Sequence, residues 1–384
     1  MPYWRLSGLY AVYFASIGAL IPYWGLYLES SGFSAQQIGA LLALLMASKI
    51  VSPNIWAWIA DHSGRRMPLV RFGSFTAMVV FALGMLGQGF GWMALVMVLF
   101  GFFWNATLPQ IEATTFNYLG HDTHRYSVVR VWGSIGFVVA VVLLGVALDR
   151  YGMALLPPVL VVLMAGIWGA SLLVSDKKPS VRAAEGHKTL RSVLKQPAVL
   201  GLLFTCFLVQ ASHGPYYTFF TIYLEDHGYS RSLAGQLWAL GVVAEVAVFL
   251  VAGWLITHVG PRKLLLLSLL LTTIRWLLIG LYVDEWFLLL IAQLLHAASF
   301  GLYHVAAIYL IHHFFVGRYQ GRGQALYSSF SFGAGGALGS LFSGFAWSAM
   351  GGGTFLVGAF LSAAAFGVAW RYVDYDQDNR APEH

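Results

Sequence analysis

The chain has 384 residues, of which 59% are hydrophobic and 10% are charged, and its formal net charge is +6. A soluble globular domain carries about 25% charged residues, so this composition excludes a soluble fold and makes lipid the solvent of the chain. Apolar runs of about 20 residues are long enough to cross a bilayer as helices, and they lack the alternation that barrel strands require.

The residues that would support other chemistry are few. The single cysteine, Cys206, lies in an apolar run, which excludes a disulfide framework and a cysteine-based metal site. No grouping of His, Asp, Glu or Cys has the spacing of metal ligands, so we expect neither a metal nor another cofactor. Residues 1–7 lead directly into a spanning stretch with no small-residue cleavage site after it, so we expect no cleaved signal peptide.

Twelve membrane spans are predicted in chain order, which places both termini on one side of the bilayer. Each is an apolar segment long enough to cross the hydrocarbon core as a helix. Their approximate bounds are residues 6–28, 36–59, 68–88, 91–117, 127–149, 153–174, 198–224, 232–257, 263–282, 286–313, 323–347 and 351–371.

The distribution of the basic residues indicates which side of the membrane is cytoplasmic. Seventeen of the 22 lie in segments on the side of the termini, whereas only Arg150 and Arg231 lie in loops on the other side. Three more, Lys49, Arg130 and Arg275, fall within or at the edge of spans. Because basic loops stay in the cytoplasm, both termini are predicted to be cytoplasmic. The same distribution accounts for the positive charge without a nucleic-acid partner.

The longest polar segment, residues 175–197, separates six spans from six. It divides the chain into an N-terminal bundle, 1–174, and a C-terminal bundle, 198–384. A shift of 196 residues aligns the first two spans of each bundle without a gap. The matched residues are Ser16 with Ser212, Gly18 with Gly214, Tyr27-Leu28-Glu29 with Tyr223-Leu224-Glu225, Gly32 with Gly228, Ser34 with Ser230, Gly39 with Gly235, Gly64 with Gly260 and Arg66 with Arg262.

This repeat predicts the fold class. It is an all-α integral membrane protein in which twelve transmembrane helices form two pseudo-symmetric six-helix bundles. Parallel repeats of this kind place a binding site between the halves, near the middle of the bilayer.

The loop after the second span carries a motif, with Asp61, Gly64, Arg65 and Arg66 in the pattern Ala-x-x-x-Asp-His-Ser-Gly-Arg-Arg over residues 57–66. It resembles the cytoplasmic signature of the major facilitator superfamily and departs from it at residues 57 and 62. Residues 253–262 hold a weaker copy. The resemblance implies a monomeric carrier of the bacterial inner membrane that moves a small molecule by alternating access.

Within that superfamily, the chain resembles the bacterial 3-phenylpropionate transporter group, which is similar to the lactose–proton symporters. The resemblance lies in residues 21–24, 129–134, 241–246, 275–276 and 295–296, and in a fourth-span segment, residues 109–113. It implies that Glu112 and Arg130 bind substrate and that Arg275 and His296 belong to the proton-coupling region.

One departure from the lactose group concerns its proton-carrying carboxylate, which follows the matching histidine by three residues. Here that position is Ser299, which cannot carry a proton at neutral pH. If the protein is coupled to protons, the carrier is another residue. Glu245 is the first candidate, and His296 is an alternative.

Charged residues inside the membrane indicate function, because each costs about 2.5–3.5 kcal/mol at a helix centre and usually faces a cavity. Glu112 and Arg130 either face the cavity, where the guanidinium would hold a carboxylate, or form a structural ion pair. Lys49 and Glu245 are related by the 196-residue shift. They are either a proton carrier with its counter-cation or a gate or structural bridge, and desolvation would favour a protonated carboxyl.

Aromatic residues suggest the shape of the substrate. Tyr23 in the first span, with Tyr216 and Tyr217 in the seventh, lie on helices that line the cavity in the superfamily and would bracket a ring. The resemblance places Phe137 where the lactose group has a stacking tryptophan. This substitution disfavours a galactoside and suits a more apolar substrate.

The resulting hypothesis is a proton symporter that imports a small organic solute such as an aromatic monocarboxylate. A sugar or nucleoside symporter of the same fold is the alternative. Drug–proton antiporters of this fold carry a Gly-Pro-rich motif in the fifth span. Residues 128–148 of this chain contain no proline, so this class is disfavoured. A polytopic enzyme would require a catalytic constellation that the sequence does not show. A sensor without transport would leave the intramembrane charges without a reason.

Overall fold

The computed structural model describes residues 1–120, 122, 125–177 and 190–374, and all regular structure in these ranges is helical. The predicted linker, residues 175–197, lies largely outside the described residues. So do Lys178, Arg182, Lys188 and Arg380, on which part of the orientation prediction rests. A short helix, Leu190–Leu194, precedes the seventh span.

Eleven described segments are long and apolar enough to cross a membrane, and the last of them, Gln320–Tyr372, contains 53 residues. About 20 residues cross a bilayer, so this segment is too long for one crossing. It is broken at Gly351, whose φ of 51° is left-handed, and therefore forms two spans. The described part of the chain thus has the twelve spans that the sequence predicts.

We label the twelve spans in chain order. They are α1 (Tyr3–Ser30), α2 (Ala35–Ser63), α3 (Met67–Gly84), α4 (Phe90–Leu119), α5 (Tyr126–Tyr151), α6 (Leu156–Leu172), α7 (Pro197–Asp226), α8 (Arg231–Val259), α9 (Pro261–Leu281), α10 (Trp286–Phe314), α11 (320–350) and α12 (Thr354–Tyr372).

Ser34 and Ser230, which the repeat aligns with each other, both begin a helix. The Ser34 hydroxyl accepts a hydrogen bond from the Gln37 N–H at 3.3 Å, and the Gln37 side chain accepts one from the Ser34 N–H at 3.0 Å. The Ser230 hydroxyl accepts from the Leu233 N–H at 3.1 Å. These caps satisfy N–H groups that have no partner within the helix, so α2 and α8 start at equivalent positions.

Three spans of the second half are not continuous α-helices, which the sequence analysis does not predict. Span α7 is interrupted at His213, just before Pro215, whose ring nitrogen has no hydrogen to continue the helical bonding. Span α10 contains a π-helical segment, Ala297–Leu302, and α11 contains another, Ser328–Gly335.

The helix contacts fall into two groups that follow the chain. In the first half, α1 packs on α5 and α6, while α4 packs on α2 and α3. In the second half, α12 packs on α7 and α9, and α8 packs on α10. The halves meet mainly where α2 contacts α11 and where α5 contacts α8. These interfaces surround the centre of the molecule, where the candidate site lies.

Two repeat-related glycines allow the halves to approach closely. A Cβ atom on Gly39 of α2 would lie 2.7 Å from the Gly344 Cα of α11, and one on Gly235 of α8 would lie 2.5 Å from the Val141 carbonyl oxygen of α5. Contacts this short leave no room for a side chain. The repeat therefore supplies one backbone-to-backbone contact on each side of the interface.

Candidate functional site

A central cavity of about 230 Å³ lies between the two halves. Spans α1, α2 and α5 line it from the first half, and α7, α8, α10 and α11 line it from the second. Most of the lining is apolar or aromatic. These apolar and aromatic residues are Phe14, Ile17, Ile21, Met46, Phe137, Tyr217, Trp238, Val242, Phe300 and Phe332.

The halves are joined by hydrogen bonds at one end of the cavity, which we call the sealed end and which carries loops 31–34 and 227–230. The Asp149 carboxylate of α5 accepts hydrogen bonds from the Arg231 and Ser232 N–H groups at the start of α8, both at 2.9 Å. Tyr23 donates to the carbonyl oxygens of Val141 at 2.8 Å and of Arg231 at 3.3 Å. Tyr23 therefore belongs to the seal and does not line the cavity.

At the opposite end, which carries the termini, the principal contacts stay within each half. Span α4 packs on α2 and α3, and the segment Tyr303–Phe314 of α10 packs on α9 and α11. Contact between the halves is maintained there along α2 and α11, where the Asn54 amide donates to the Ser329 hydroxyl at 3.3 Å. The structure is therefore a state with one end sealed more fully than the other.

Two cations from the first half face the cavity. Lys49 of α2 and Arg130 of α5 both line it, and neither forms an ion pair within 4.0 Å among the described residues. The Arg130 guanidinium carbon lies 3.6 Å from the centroid of the Phe14 ring. Stacking of this kind orients the guanidinium while leaving its edge of N–H donors free for a ligand.

One carboxylate from the second half faces the same cavity. Glu245 of α8 lies with its Oε2 atom 3.5 Å from the Nε2 atom of His296, which also lines the cavity. Arg130 and His304 are its other electrostatic neighbours. Lys49 and Glu245 thus share one cavity but form no ion pair with each other. With neutral histidines, two cations and one anion leave the cavity with a net positive charge.

Glu112 does not line the cavity in this state. Its carboxylate accepts a hydrogen bond from the Tyr126 hydroxyl at 3.0 Å, and Tyr126 stacks on Phe116 with ring centroids 4.7 Å apart. No ion pair joins Glu112 to Arg130 within 4.0 Å in the described structure. Its position therefore differs from that of Arg130, and a substrate role for Glu112 stays a prediction.

Arg275 and Tyr216 lie behind the cavity wall. The Arg275 side chain is fully buried and donates to the Ala292 carbonyl oxygen at 3.0 Å and to the Ser299 hydroxyl at 2.8 Å. Tyr216 packs against Trp238 with ring centroids 4.3 Å apart. Of the residues singled out from sequence, the cavity brings together Lys49, Arg130, Phe137, Tyr217, Glu245 and His296.

Sequence reasoning missed several lining residues. Trp238 lies seven residues before Glu245, two turns away on the same face of α8, so helical spacing from the acid could have found it. Gln210 of α7 is buried and lines the cavity, and its amide nitrogen has no hydrogen-bond partner in the part of the chain that the structure describes. Its signal in the sequence is a polar amide side chain within an apolar span, which marks a candidate in the same way as a charge does.

The loop motif connects three helices and Asp176, the second residue of the predicted linker. Asp61 pairs with Arg66 at 2.7 Å, and Arg66 also donates to the Gln110 side chain of α4 at 2.7 Å. The Asp176 carboxylate accepts from the Arg66 and Met67 N–H groups at 3.0 and 2.8 Å, which caps the start of α3. Gly64 ends α2 with a left-handed φ of 65°, and Arg65 is exposed beside it.

Comparisons with known proteins extend over nearly the whole chain. The model of the MFS_1 like family matches residues 3–372. A probable 3-phenylpropionic acid transporter of Escherichia coli is 28% identical over 94% of this chain and 95% of its own length. A putative nucleoside transporter of the same organism is 24% identical over 75% of this chain and 70% of its own. The crystal structure of a mutant of the nucleoside transporter NupG superposes with a TM-score of 0.85, at 14% identity, over 97% of this chain and 100% of that one.

Proposed function

Because the chain belongs to the MFS_1 like family and is a transporter of the major facilitator type, we propose that it is a proton symporter that imports a small aromatic monocarboxylate such as 3-phenylpropionate. The observation that carries this proposal is the cavity itself. It combines two cations without an anionic partner among the described residues with a wall of aromatic rings. The name of the Escherichia coli relative supports the same substrate class.

In this proposal, Arg130 binds the carboxylate of the substrate and Lys49 adds a second positive charge. The planar guanidinium presents donors that match both oxygens of a carboxylate, whereas the lysine acts as a point charge. Phe137, Tyr217 and Trp238 pack against the ring. The cavity volume, about 230 Å³, lies below the range of about 300–1,000 Å³ typical of pockets for drug-sized ligands, which favours a small solute.

Glu245 carries the proton in this proposal, with His296 positioning its carboxyl group. Arg130 is an electrostatic neighbour of Glu245, so it stabilises the ionised acid while the cavity is empty. A substrate carboxylate on Arg130 offsets that effect. Substrate and proton therefore promote each other's binding, and this reciprocity is the physical basis of symport. Lys49 and Arg275 complete the predicted proton-coupling set.

The proposed cycle moves the two halves around the cavity. The excess of basic residues at the end with the termini supports a cytoplasmic location of that end, and the bacterial relatives support the inner membrane. The sealed end then faces outward, and the state described here faces inward. Ligands shift the balance between such states only by binding one state better. The motif of Asp61, Gly64, Arg65 and Arg66 holds α2, α3 and α4 together during the movement.

The first test is uptake of labelled 3-phenylpropionate into proteoliposomes with and without an inward proton gradient. We expect accumulation that depends on the gradient, that is lost in Arg130→Ala and Glu245→Gln, and that is retained in Arg150→Ala. Arg150 is a matched control, because it is an exposed arginine at the sealed end of α5. Absence of uptake in both conditions, together with uptake of a nucleoside or sugar, would replace the aromatic acid with the alternative substrate class.

A further inference from the structure

Arg275 of α9 is a fully buried cation in the second half. Its Nε and Nη1 atoms donate to the Ala292 carbonyl oxygen and the Ser299 hydroxyl, and its guanidinium carbon lies 4.2 Å from the Tyr216 ring centroid and 4.6 Å from that of Trp276. All of these partners are neutral. They orient the guanidinium and partly replace its hydration, but they do not neutralise its charge.

No carboxylate of the described residues contacts Arg275, since none lies within 4.0 Å of it. Its electrostatic neighbours are Tyr216, Tyr217, His213 and His296, none of which carries a negative charge as a neutral side chain. An unpaired buried charge is strongly unfavourable, and a charged side chain inside a membrane protein usually pairs with an opposite charge. The second half therefore contains a cation whose partner is not supplied by the described side chains.

Two donors beside this cation also lack acceptors. The Nη2 atom of Arg275 and the Nε2 atom of Gln293 are buried and make no hydrogen bond with the described protein. Tyr216 connects the two side chains, because its ring covers the guanidinium and its hydroxyl donates to the Gln293 Oε1 atom at 3.0 Å. Gln293 itself is fully buried on α10.

We propose that a small monovalent inorganic anion of the chloride class binds between the Arg275 Nη2 and Gln293 Nε2 atoms and acts as the resident counter-ion of Arg275. The anion accepts hydrogen bonds from both donors and neutralises the guanidinium. It holds α9 and α10 together at the level where α10 enters its π-helical segment.

This site is distinct from the transport cavity and independent of the substrate proposed above. Arg275, Gln293 and Tyr216 do not line the cavity. The Tyr216 ring covers the Arg275 guanidinium and lies 6.0 Å, centroid to centroid, from the ring of His296, which lines the cavity. Because neither Arg275 nor Gln293 lines the cavity, a substrate carboxylate bound there contacts neither of the two donors. A water molecule would accept a hydrogen bond but leave the charge uncompensated.

The test is thermal unfolding of the purified full-length protein in detergent, with sodium chloride replaced by sodium gluconate at constant ionic strength. Chloride should stabilise the fold with a saturating dependence on concentration, and bromide and nitrate should act similarly. At a chloride concentration 100 times the dissociation constant, the equilibrium constant for unfolding should fall about 100-fold. Equal stability in chloride and gluconate would overturn the proposal.

Acidic substitutions locate the effect. Gln293→Glu preserves the size of the side chain and the acceptor for Tyr216, and it places a carboxylate beside Arg275, so the dependence on chloride should disappear. Ser299→Asp should act the same way, because the Ser299 hydroxyl lies 2.8 Å from the Arg275 Nη1 atom. Ser299→Asn has the shape of Ser299→Asp without its charge and should keep the dependence. A chloride effect that persists unchanged in both acidic variants would assign it to another site and overturn the proposal.

Discussion

At the turn after the second helix of each half, Arg66 and Arg262 occupy the same position of the repeat but bind different groups. Arg66 pairs with the Asp61 carboxylate and the Gln110 amide. Arg262 has Thr257 where Arg66 has Asp61, and it donates instead to the carbonyl oxygens of Val373 and Trp370 at the end of α12, at 2.7 and 2.9 Å. One turn is held by side chains and the other by main-chain carbonyls.

The two halves also differ in the regularity of their helices. Spans α4 and α5 are continuous α-helices, whereas their counterparts α10 and α11 contain π-helical segments. His296 and Ser299 lie at or in the α10 segment. The comparison indicates a first half that is regular and tied by side chains. The irregular backbone of the second half lies beside the acid and the histidine, as is frequent at functional sites.

The largest effect on transport is expected from substitutions at the repeat-related pair Glu245 and Lys49. Glu245→Gln should abolish accumulation driven by a proton gradient while substrate exchange without a gradient continues, because the amide does not titrate. Lys49→Gln should retain gradient-driven accumulation with weaker substrate binding. Both are measured in the same proteoliposomes. The reverse result, with coupling lost only in Lys49→Gln, would assign the proton to the first half.

Arg130 should show the next largest effect. Arg130→Gln removes the charge but keeps one amide donor, so the net loss should be that of about one charge-assisted hydrogen bond, about 1.5–3 kcal/mol, and substrate affinity should fall roughly 10- to 100-fold. Equilibrium binding of labelled substrate measures this loss, and Arg150→Gln is the control. If Arg130→Gln left the affinity unchanged, Lys49 rather than Arg130 would be the residue that binds the substrate carboxylate.

The glycine contacts at the interface should give an intermediate effect. Gly39→Ala introduces a Cβ that meets the Gly344 backbone, and such overpacking costs about 1–3 kcal/mol. The sealed state should become less populated. A cysteine placed at Ile21, which lines the cavity, should then react faster with a maleimide that reaches it through the sealed end. Gly8→Ala is the control, because a Cβ there meets nothing within 4 Å.

The smallest effect is expected at Asp61. Its side chain is 64% exposed, and exposed ion pairs contribute about 0.2–1 kcal/mol. Asp61→Asn should therefore reduce the free energy of unfolding by less than about 1 kcal/mol, as measured by thermal unfolding, and Thr257→Asn should leave it unchanged. A loss of several kcal/mol would mean that the Arg66 contacts form a single cooperative network.

Local sequence patterns were sufficient to predict much of the fold. Hydropathy gave the twelve spans, and the repeat placed Lys49 and Glu245 in one cavity. The paired serines Ser34 and Ser230 begin equivalent helices because capping depends on residues only three apart. These features depend on short-range chemistry or on internal symmetry, both of which are visible in a single sequence.

Features that depend on tertiary packing were not predicted. The π-helical segments have no local signature, because the same residues could continue an α-helix. Asp149 has no distinctive neighbours in sequence, and its role as a cap for α8 arises only when the halves meet. Glu112 illustrates the same limit, since its position in the sequence does not reveal that its carboxylate accepts a hydrogen bond from the Tyr126 hydroxyl.

The contacts between the halves also differ between the two sides of the cavity. On the α5–α8 side, the hydrogen bonds between the halves are concentrated at the sealed end, where Asp149 accepts from Arg231 and Ser232 and Tyr23 donates to Arg231. On the α2–α11 side, contacts run from Gly39 and Gly344 to Asn54 and Ser329, along nearly the full length of both helices. A long interface that stays packed can act as an axis of rotation, and hydrogen bonds concentrated at one end of the other interface can act as a latch. We therefore expect the sealed end to open by loss of the Asp149 bonds while α2 and α11 stay in contact.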